Sequence, residues 1–310
     1  MNNNQFSNFL NNLVSISPRR GLNENLAAKL IHDYLSKIGV KFILQEFKVK
    51  IPVTKSAELF VDNLSIPCLG ASFSSGEISK DTKVLNAFGA KSENSMIIFN
   101  PISEGICLQS YKETPSVAIS RDNVVKIVMG NKISGKVEVE ELEFTSQNIL
   151  VGNILNPESI VFAHYDSLVG QGAVDNAAAV DVIMQTITNH PDLISNNLFV
   201  FIGSEEESIT SHDGLYGFEV FDQKYSNIIN SSKEILVLDG VGISSPKFVN
   251  DHIDWVFGIS RIEKVQNKVI WMQNDQSLVM KYYHSDLDTL ENLDPKYTDQ
   301  AVALLKSRLN

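Results

Sequence analysis

The stretch that decides the fold is Ile160-Val161-Phe162-Ala163-His164-Tyr165-Asp166, followed after a short loop by Gly172-Ala173-Val174-Asp175-Asn176. A four-residue apolar run with a β-branched start reads as a strand buried on both faces. A histidine follows it at once. In an open α/β sheet, ligands bind in the crevice beyond the carboxyl ends of the strands, and His164 falls there. Asp166 lies two residues on, on the same side of an extended chain. It is a candidate acceptor for the second ring nitrogen, the contact that orients an imidazole as a metal ligand. A strand-end His-x-Asp alone is more often structural than catalytic. Its weight here comes from matching residues at other strand ends.

Downstream, Leu198-Phe199-Val200-Phe201-Ile202 runs into Glu205-Glu206-Glu207, and Glu234-Ile235-Leu236-Val237-Leu238 ends at Asp239-Gly240. Val269-Ile270-Trp271-Met272 is a further strand, with Tyr283-His284-Ser285-Asp286 and Asp288 beyond it. Helical patterns over 177–189 and 298–309 alternate with these strands, which implies a largely parallel sheet. Upstream, residues 5–16 and 23–38 carry helical apolar spacing, Gly39 suits a helix-ending C′ position, and 40–51 reads as a strand. Between 52 and 146 the texture changes to short strands such as 95–99 and 136–140, with one helix over 122–129. The expected organisation is one α/β domain from residues 1–51 and 147–310, with a small, mostly β domain inserted at 52–146. That insert shows no catalytic constellation.

The chain has 310 residues, 43% hydrophobic and 20% charged, with a net charge of -11. This is the composition of an ordinary globular protein, and its acidity argues against nucleic acid as a partner. Two cysteines, Cys68 and Cys107, are too few for a disulfide framework; small core residues are expected. The start, Met1-Asn2-Asn3-Asn4, has no basic or apolar signal region, and no apolar run approaches the ~20 residues of a membrane span. The expectation is a cytoplasmic protein with no membrane contact. Oligomeric state is not legible. His32, His190, His212 and His252 read as surface or loop residues, with His212 alone near enough to meet a substrate, and Trp255 and Trp271 read as core.

Collected, the strand-end residues are His164, Asp175, Glu205, Glu206, Asp239 and His284. Imidazole and carboxylate together suit zinc and similar ions. That many buried carboxylates would repel one another unless cations balanced them. In a pair such as Glu205-Glu206, one residue can bind a metal while its neighbour takes a proton from water.

These residues resemble a known family, the clan MH zinc aminopeptidases, the group of aminopeptidase S, aminopeptidase Y and bacterial leucyl aminopeptidase. The likeness rests on Ala163 to Ser167, Gly172 to Ala177, Phe199 to Glu206, Leu238 to Gly242 and Tyr283 to Thr289, in that order. Ser17-Pro18-Arg19 with its helix and strand is similar to the family's opening, and 95–140 resembles a protease-associated insert. The resemblance implies a zinc exopeptidase fold: a three-layer, mixed but mainly parallel sheet flanked by helices. It implies two zinc ions, with cobalt or manganese fitting the same ligands. Asp175 would bridge them, His164 and Glu206 completing one metal and Asp239 and His284 the other. Glu205 would be the general base, Asp166 would support His164, and Tyr283 would polarise the scissile carbonyl. The substrates implied are peptides with a free N-terminus, the insert gating one side of the site.

The chain departs from that pattern in three places. A longer loop, Glu207 to Asp213, precedes Gly214-Leu215, and the run of three glutamates leaves a one-residue slip of base and ligand open. The stretch from Asp239 to His284 is short, and Ala177-Ala178-Ala179 replaces the usual small-residue and glycine turn. Other readings on this scaffold are carboxypeptidase or glutaminyl cyclase-like chemistry. A carboxypeptidase would need a basic pocket, for which Arg261 is the only arginine between Asp239 and His284. A binding protein that has lost catalysis, as the transferrin receptor has, is the reading from a different class.

Overall fold

The computed structural model describes residues 6–89, 91–211 and 214–310; His212 lies outside them. Among the described residues, a nine-stranded sheet runs in the order Lys247–Val249, Val269–Gln273, Glu234–Leu238, Ser159–His164, Leu198–Ile202, Ile133–Gly152, Phe42–Val61 and Leu64–Ser65. Gly76–Ser79 pairs as a further strand with Ile133–Gly152. The four strands from Val269–Gln273 to Leu198–Ile202 are mutually parallel, and their flanking partners are antiparallel. The mixed, mainly parallel sheet expected from the sequence is borne out.

The central strands are continuous apolar runs because both faces are covered. Val161, Ala163, Phe199, Phe201, Leu236 and Leu238 face a core built with the helices Asn8–Ser15, Leu22–Lys37, Ala178–Asn189 and Pro295–Leu309. Ile160, Phe162, Val200, Ile235 and Val237 face the other layer, from the Tyr216–Ser231 helix and the turns near 253–268. There Phe162 packs edge-on against Phe218 and Phe221. The Tyr216–Ser231 helix was not anticipated, although Phe218, Phe221, Tyr225 and Ile229 carry its spacing.

Ser159–His164 is the topological switch point. The chain continues to Leu198–Ile202 on one side of it and returns to Glu234–Leu238 on the other. The loops after all three strands therefore converge over His164, the crevice that a parallel sheet offers to ligands.

The Phe42–Val61 and Ile133–Gly152 strands form one ribbon paired from Phe42↔Val151 to Val61↔Ile133, with a bulge between Thr54 and Ser56. Residues 52 and 146 both fall within this ribbon, so the sheet runs on into the segment read as an insert. There it meets a separate four-stranded sheet of Leu69–Gly70, Ser116–Ile119, Met96–Phe99 and Lys83–Asn86. The expected helix appears as Val124–Met129 after a turn at Arg121–Asn123. Leu168 and Val169, from the loop after His164, pack into one core with Ala71, Met96, Leu108 and Ala118 of this segment.

Arg19 explains how that loop is held. It is 0% exposed, and its guanidinium donates to the carbonyls of Tyr165 (2.6 Å), Gln171 and Gly172 (2.9 Å). Its amide donates to Ser167 Oγ at 2.9 Å. Burial lowers its pKa to about 10, against the pull of Asp288, Asp166 and Asp175, so it stays charged at neutral pH. Gly172 has φ +52, and a Cβ there would stand 2.4 Å from Ser167 Cβ and 2.8 Å from Arg19 Nη2, so only glycine allows this closure. Arg19→Met would leave three buried carbonyls and nearby carboxylates without their cation. We expect a stability loss of about 3–5 kcal/mol, read as a lowered urea midpoint at unchanged slope.

Candidate metal centre

Each site residue hangs from a loop at the carboxyl end of a parallel strand or from the 283–288 turn. His164 ends its strand. Its Nε2 lies 3.1 Å from Asp175 Oδ1 and 3.7 Å from Asp239 Oδ2, and its Nδ1 faces Asp166 Oδ1 at 3.4 Å. His284 is built the same way. Its Nε2 lies 2.8 Å from Glu206 Oε2 and 3.4 Å from Asp175 Oδ2, and its Nδ1 lies 3.2 Å from the Leu108 carbonyl. Both imidazoles thus turn Nε2 inward to carboxylates; the Nδ1 of His284 meets an acceptor that fixes the ring, while that of His164 faces Asp166 without a hydrogen bond. Asp175 stands between them, one carboxylate oxygen toward each.

Glu206 sits against His284 at 2.8 Å, and Asp239 faces His164 at 3.7 Å, whereas the resemblance put Glu206 with His164 and Asp239 with His284. Strand order gives the reason: Glu206 and Asp239 follow the two strands that flank His164 on opposite sides. His284 is then held on the Glu206 side by the insert, since Leu108 binds His284 while Tyr111 N donates to the Glu207 carboxylate. The groups are compact enough to share ions. His164, Asp175 and Glu206 offer atoms all within 4.8 Å of one another, as do His164, Glu205 and Asp239.

Glu205 points to His164 Nδ1 at 3.8 Å, beside the cluster, while Glu207 turns away to Tyr111 N. This geometry gives no support to a one-residue slip. The Glu205–Glu206 turn is set by Asp166, whose two oxygens accept from the amides of Glu205 (3.2 Å) and Glu206 (2.9 Å). Asp166 therefore holds both glutamates while facing His164 Nδ1. Tyr283 stacks on the His284 ring with centroids 3.7 Å apart. Burial and then the surrounding carboxylates push its phenol up, so it remains a donor.

Three positioning residues were not anticipated. Asp288 accepts from the amides of Val174 (2.7 Å) and Asp175 (3.0 Å) and so holds the bridging residue. Glu24, buried, accepts from Ser204 Oγ at 3.0 Å, and Ser204 adopts φ +49 just before Glu205, a conformation that non-glycine residues adopt only when held. Leu108 belongs to the segment read as free of catalytic residues. There the insert is stitched to the His284 turn: Leu108 N donates to His284 O (2.8 Å), Ile106 N to Asp286 Oδ1 (2.8 Å) and the Cys107 thiol to the Tyr283 carbonyl (3.1 Å). The two cysteines are unpaired, and Cys107 is buried, as expected. No pattern in 105–111 signals this contact, because apart from the Cys107 thiol that segment contributes only backbone groups to it. Asp286→Ala removes one stitch and should loosen His284. We expect a metal affinity lower by about 10–100-fold, measured by competition with a chromophoric chelator.

Burial pushes the Glu205 carboxyl well up, with His164 opposing and Glu206 and Asp239 adding. Burial, then Asp175, raises Asp239 to about 7. Asp175 is held below its usual value despite burial, because His164 and His284 favour its anion. Against burial, Glu206 and Asp175 raise His284 to about 10. Protons on two imidazoles are one way to balance such a cluster; dications on the same inward atoms are another. The second fits the donor set of imidazole and carboxylate. It also fits Asp175 Oδ2 and Glu206 Oε1, which are buried with no hydrogen-bond partner, a costly state for an anion's oxygen.

The cluster floors a cleft of about 910 Å³. Beside Asp239 its wall is apolar: Trp255, Val256, Val279 and Met280, with Trp271 donating to the Asp239 carbonyl at 3.0 Å. Trp255 is 62% exposed there, so its expected place in the core is wrong. It sits on a surface turn and stacks on His252 at 4.4 Å. Beside His284 the wall is the insert, through Phe73, Met96, Tyr111 and Lys112 among others.

Residues 152–252 match the model of Peptidase family M28. That stretch is about a third of the chain and agrees with the resemblance drawn from the motifs within it; the 95–140 likeness to a protease-associated insert lies outside it. In fold, the chain is similar to BSAP, a zinc aminopeptidase from Bacillus subtilis, with a TM-score of 0.69 and 18% identity over 96% of this chain and 92% of that one. An aminopeptidase from Aneurinibacillus sp. strain AM-1 gives a TM-score of 0.61 and 15% identity, covering 98% and 93%. A glutaminyl cyclase from Porphyromonas gingivalis gives 0.54 and 12%, covering 97% and 95%. At these identities the likeness is one of fold. No curated protein matches the chain in sequence.

Proposed function

We propose that this chain is a dinuclear metal-dependent aminopeptidase that removes the first residue from short peptides. The family match and the zinc aminopeptidase folds support a metallopeptidase hydrolase. The observation that carries the finer reading is Asp175, whose two carboxylate oxygens face the Nε2 atoms of two histidines. Asp175 would be shared, with His164 and Asp239 completing one ion site and Glu206 and His284 the other. When bound, such ions lower the pKa of water and polarise a carbonyl. Zinc is the expected metal, with cobalt or manganese able to use the same donors.

The residues around them supply the rest. Glu205, desolvated and beside the cluster, takes the proton of the attacking water and returns it to the leaving amine. Tyr283 keeps its proton and donates to the oxyanion. The acidic floor holds the substrate ammonium, and the apolar wall beside Asp239 takes the first side chain. A single-metal cyclase would not need the second histidine-carboxylate pair. The decisive comparison is leucyl-p-nitroanilide against its N-acetylated form. We expect the acetylated compound to be cleaved at least about 10²-fold more slowly, since it leaves the amine site unpaired. Equal rates would refute the aminopeptidase reading.

A further inference from the structure

The cleft is polarised in a way the motifs do not convey. At the Asp239 end it is apolar, and at the His284 end the insert brings Lys91 and Lys112 to its lining. Two lysines from one segment are unexpected in the lining of an acid-floored cleft in a chain of net charge -11. Lys112 is fixed by its backbone, whose amide donates to Ala71 O and whose carbonyl accepts from Phe73 N, both at 2.9 Å. Its amine rests on Ser110 Oγ. Burial lowers the pKa of that amine; Glu207 opposes this, and Lys91 adds to it, so the two lysines feel each other. The Glu207 carboxylate is already engaged by the Tyr111 amide, and Arg20, stacked 4.7 Å over the Tyr111 ring, donates to the Glu207 carbonyl at 3.0 Å. Of the other carboxylates lining the cleft outside the metal cluster, Glu113 follows Lys112 in the chain, and Asp254 stands next to Trp255, in the turn that carries the apolar wall.

We infer that Lys91 and Lys112 form a carboxylate-binding wall, which selects peptides short enough for their own C-terminal carboxylate to reach it. The inference rests on the aminopeptidase reading. With the amine on the acidic floor and the first side chain against Trp255 and Val279, the leaving half of the peptide runs toward the insert. A dipeptide or tripeptide then ends among the lysines, where a charged acceptor gains charge-assisted hydrogen bonds.

The test compares kcat/KM for Leu-Leu with that for Leu-Leu-amide, in wild type and in Lys91→Met/Lys112→Met. Binding of both peptides to Glu205→Gln is measured by calorimetry. We expect wild type to prefer the acid by about tenfold or more, Glu205→Gln to show the same preference in Kd, and the double variant to bring the ratio close to one. Lys91→Met alone, at an exposed side chain, should lower the ratio part of the way and guards against misfolding of the double variant. A wild-type ratio near one, or an unchanged ratio in the variants, overturns the inference. So does a preference confined to Leu-Asp-amide, which would place a side-chain carboxylate there instead. Cleavage of N-acetyl-Leu-Leu with no cleavage of leucyl-p-nitroanilide would sink the aminopeptidase reading itself, separately from the ratio.

Discussion

Replacing Glu205 with glutamine should lower kcat by ~10²–10⁴-fold, the usual contribution of a positioned general base, while metal content and KM change little. Glutamine keeps the shape and the backbone amide that Asp166 holds at 3.2 Å, so the Glu205–Glu206 turn persists. Glu206, the group placed against His284, is untouched. What is lost is a carboxylate that lies against the cluster, 3.8 Å from His164 Nδ1, without facing a histidine Nε2. The measurement is steady-state hydrolysis of leucyl-p-nitroanilide alongside metal analysis of the same sample. A variant that kept its metals and at least a tenth of wild-type kcat would remove Glu205 from the role of base.

The second large effect is expected at Asp175. Asp175→Asn should cost more than ~10³-fold in kcat/KM, since loss of a single electrostatic stabiliser already costs ~10²–10³ and Asp175 faces both histidines. The fold should survive. Asp288 holds the amides of residues 174 and 175 through its own side chain, and Arg19 closes the preceding loop independently. The expected signature is a near-native circular dichroism spectrum with metal content well below that of wild type. Loss of activity at unchanged metal content would contradict a shared ligand at this position.

Much of this centre was readable because its donors follow buried strands. Runs such as Phe199–Ile202 and Ile235–Leu238 declare themselves by composition, and a charged residue directly after them has few places to go except the crevice. The pairing of donors was not readable, because it depends on spatial strand order. Glu206 and Asp239 lie on opposite sides of His164 only once Ser159–His164 is known to be the switch strand. Asp288 stood in a quoted motif without a role, since its partners are backbone amides. The contribution of the insert was invisible for the same reason: Leu108 acts through its carbonyl, which no side-chain pattern reports. Trp255 was misplaced because an aromatic residue near apolar neighbours reads as core, whereas here a turn lifts it to the cleft wall.

The most direct test of the central claim is a zinc titration of chelator-stripped protein, following leucyl-p-nitroanilide hydrolysis and bound metal together. A centre shared through Asp175 predicts saturation at about two ions per chain, with full rate only as the second ion binds. Full activity at one ion per chain, with no further uptake, would contradict it.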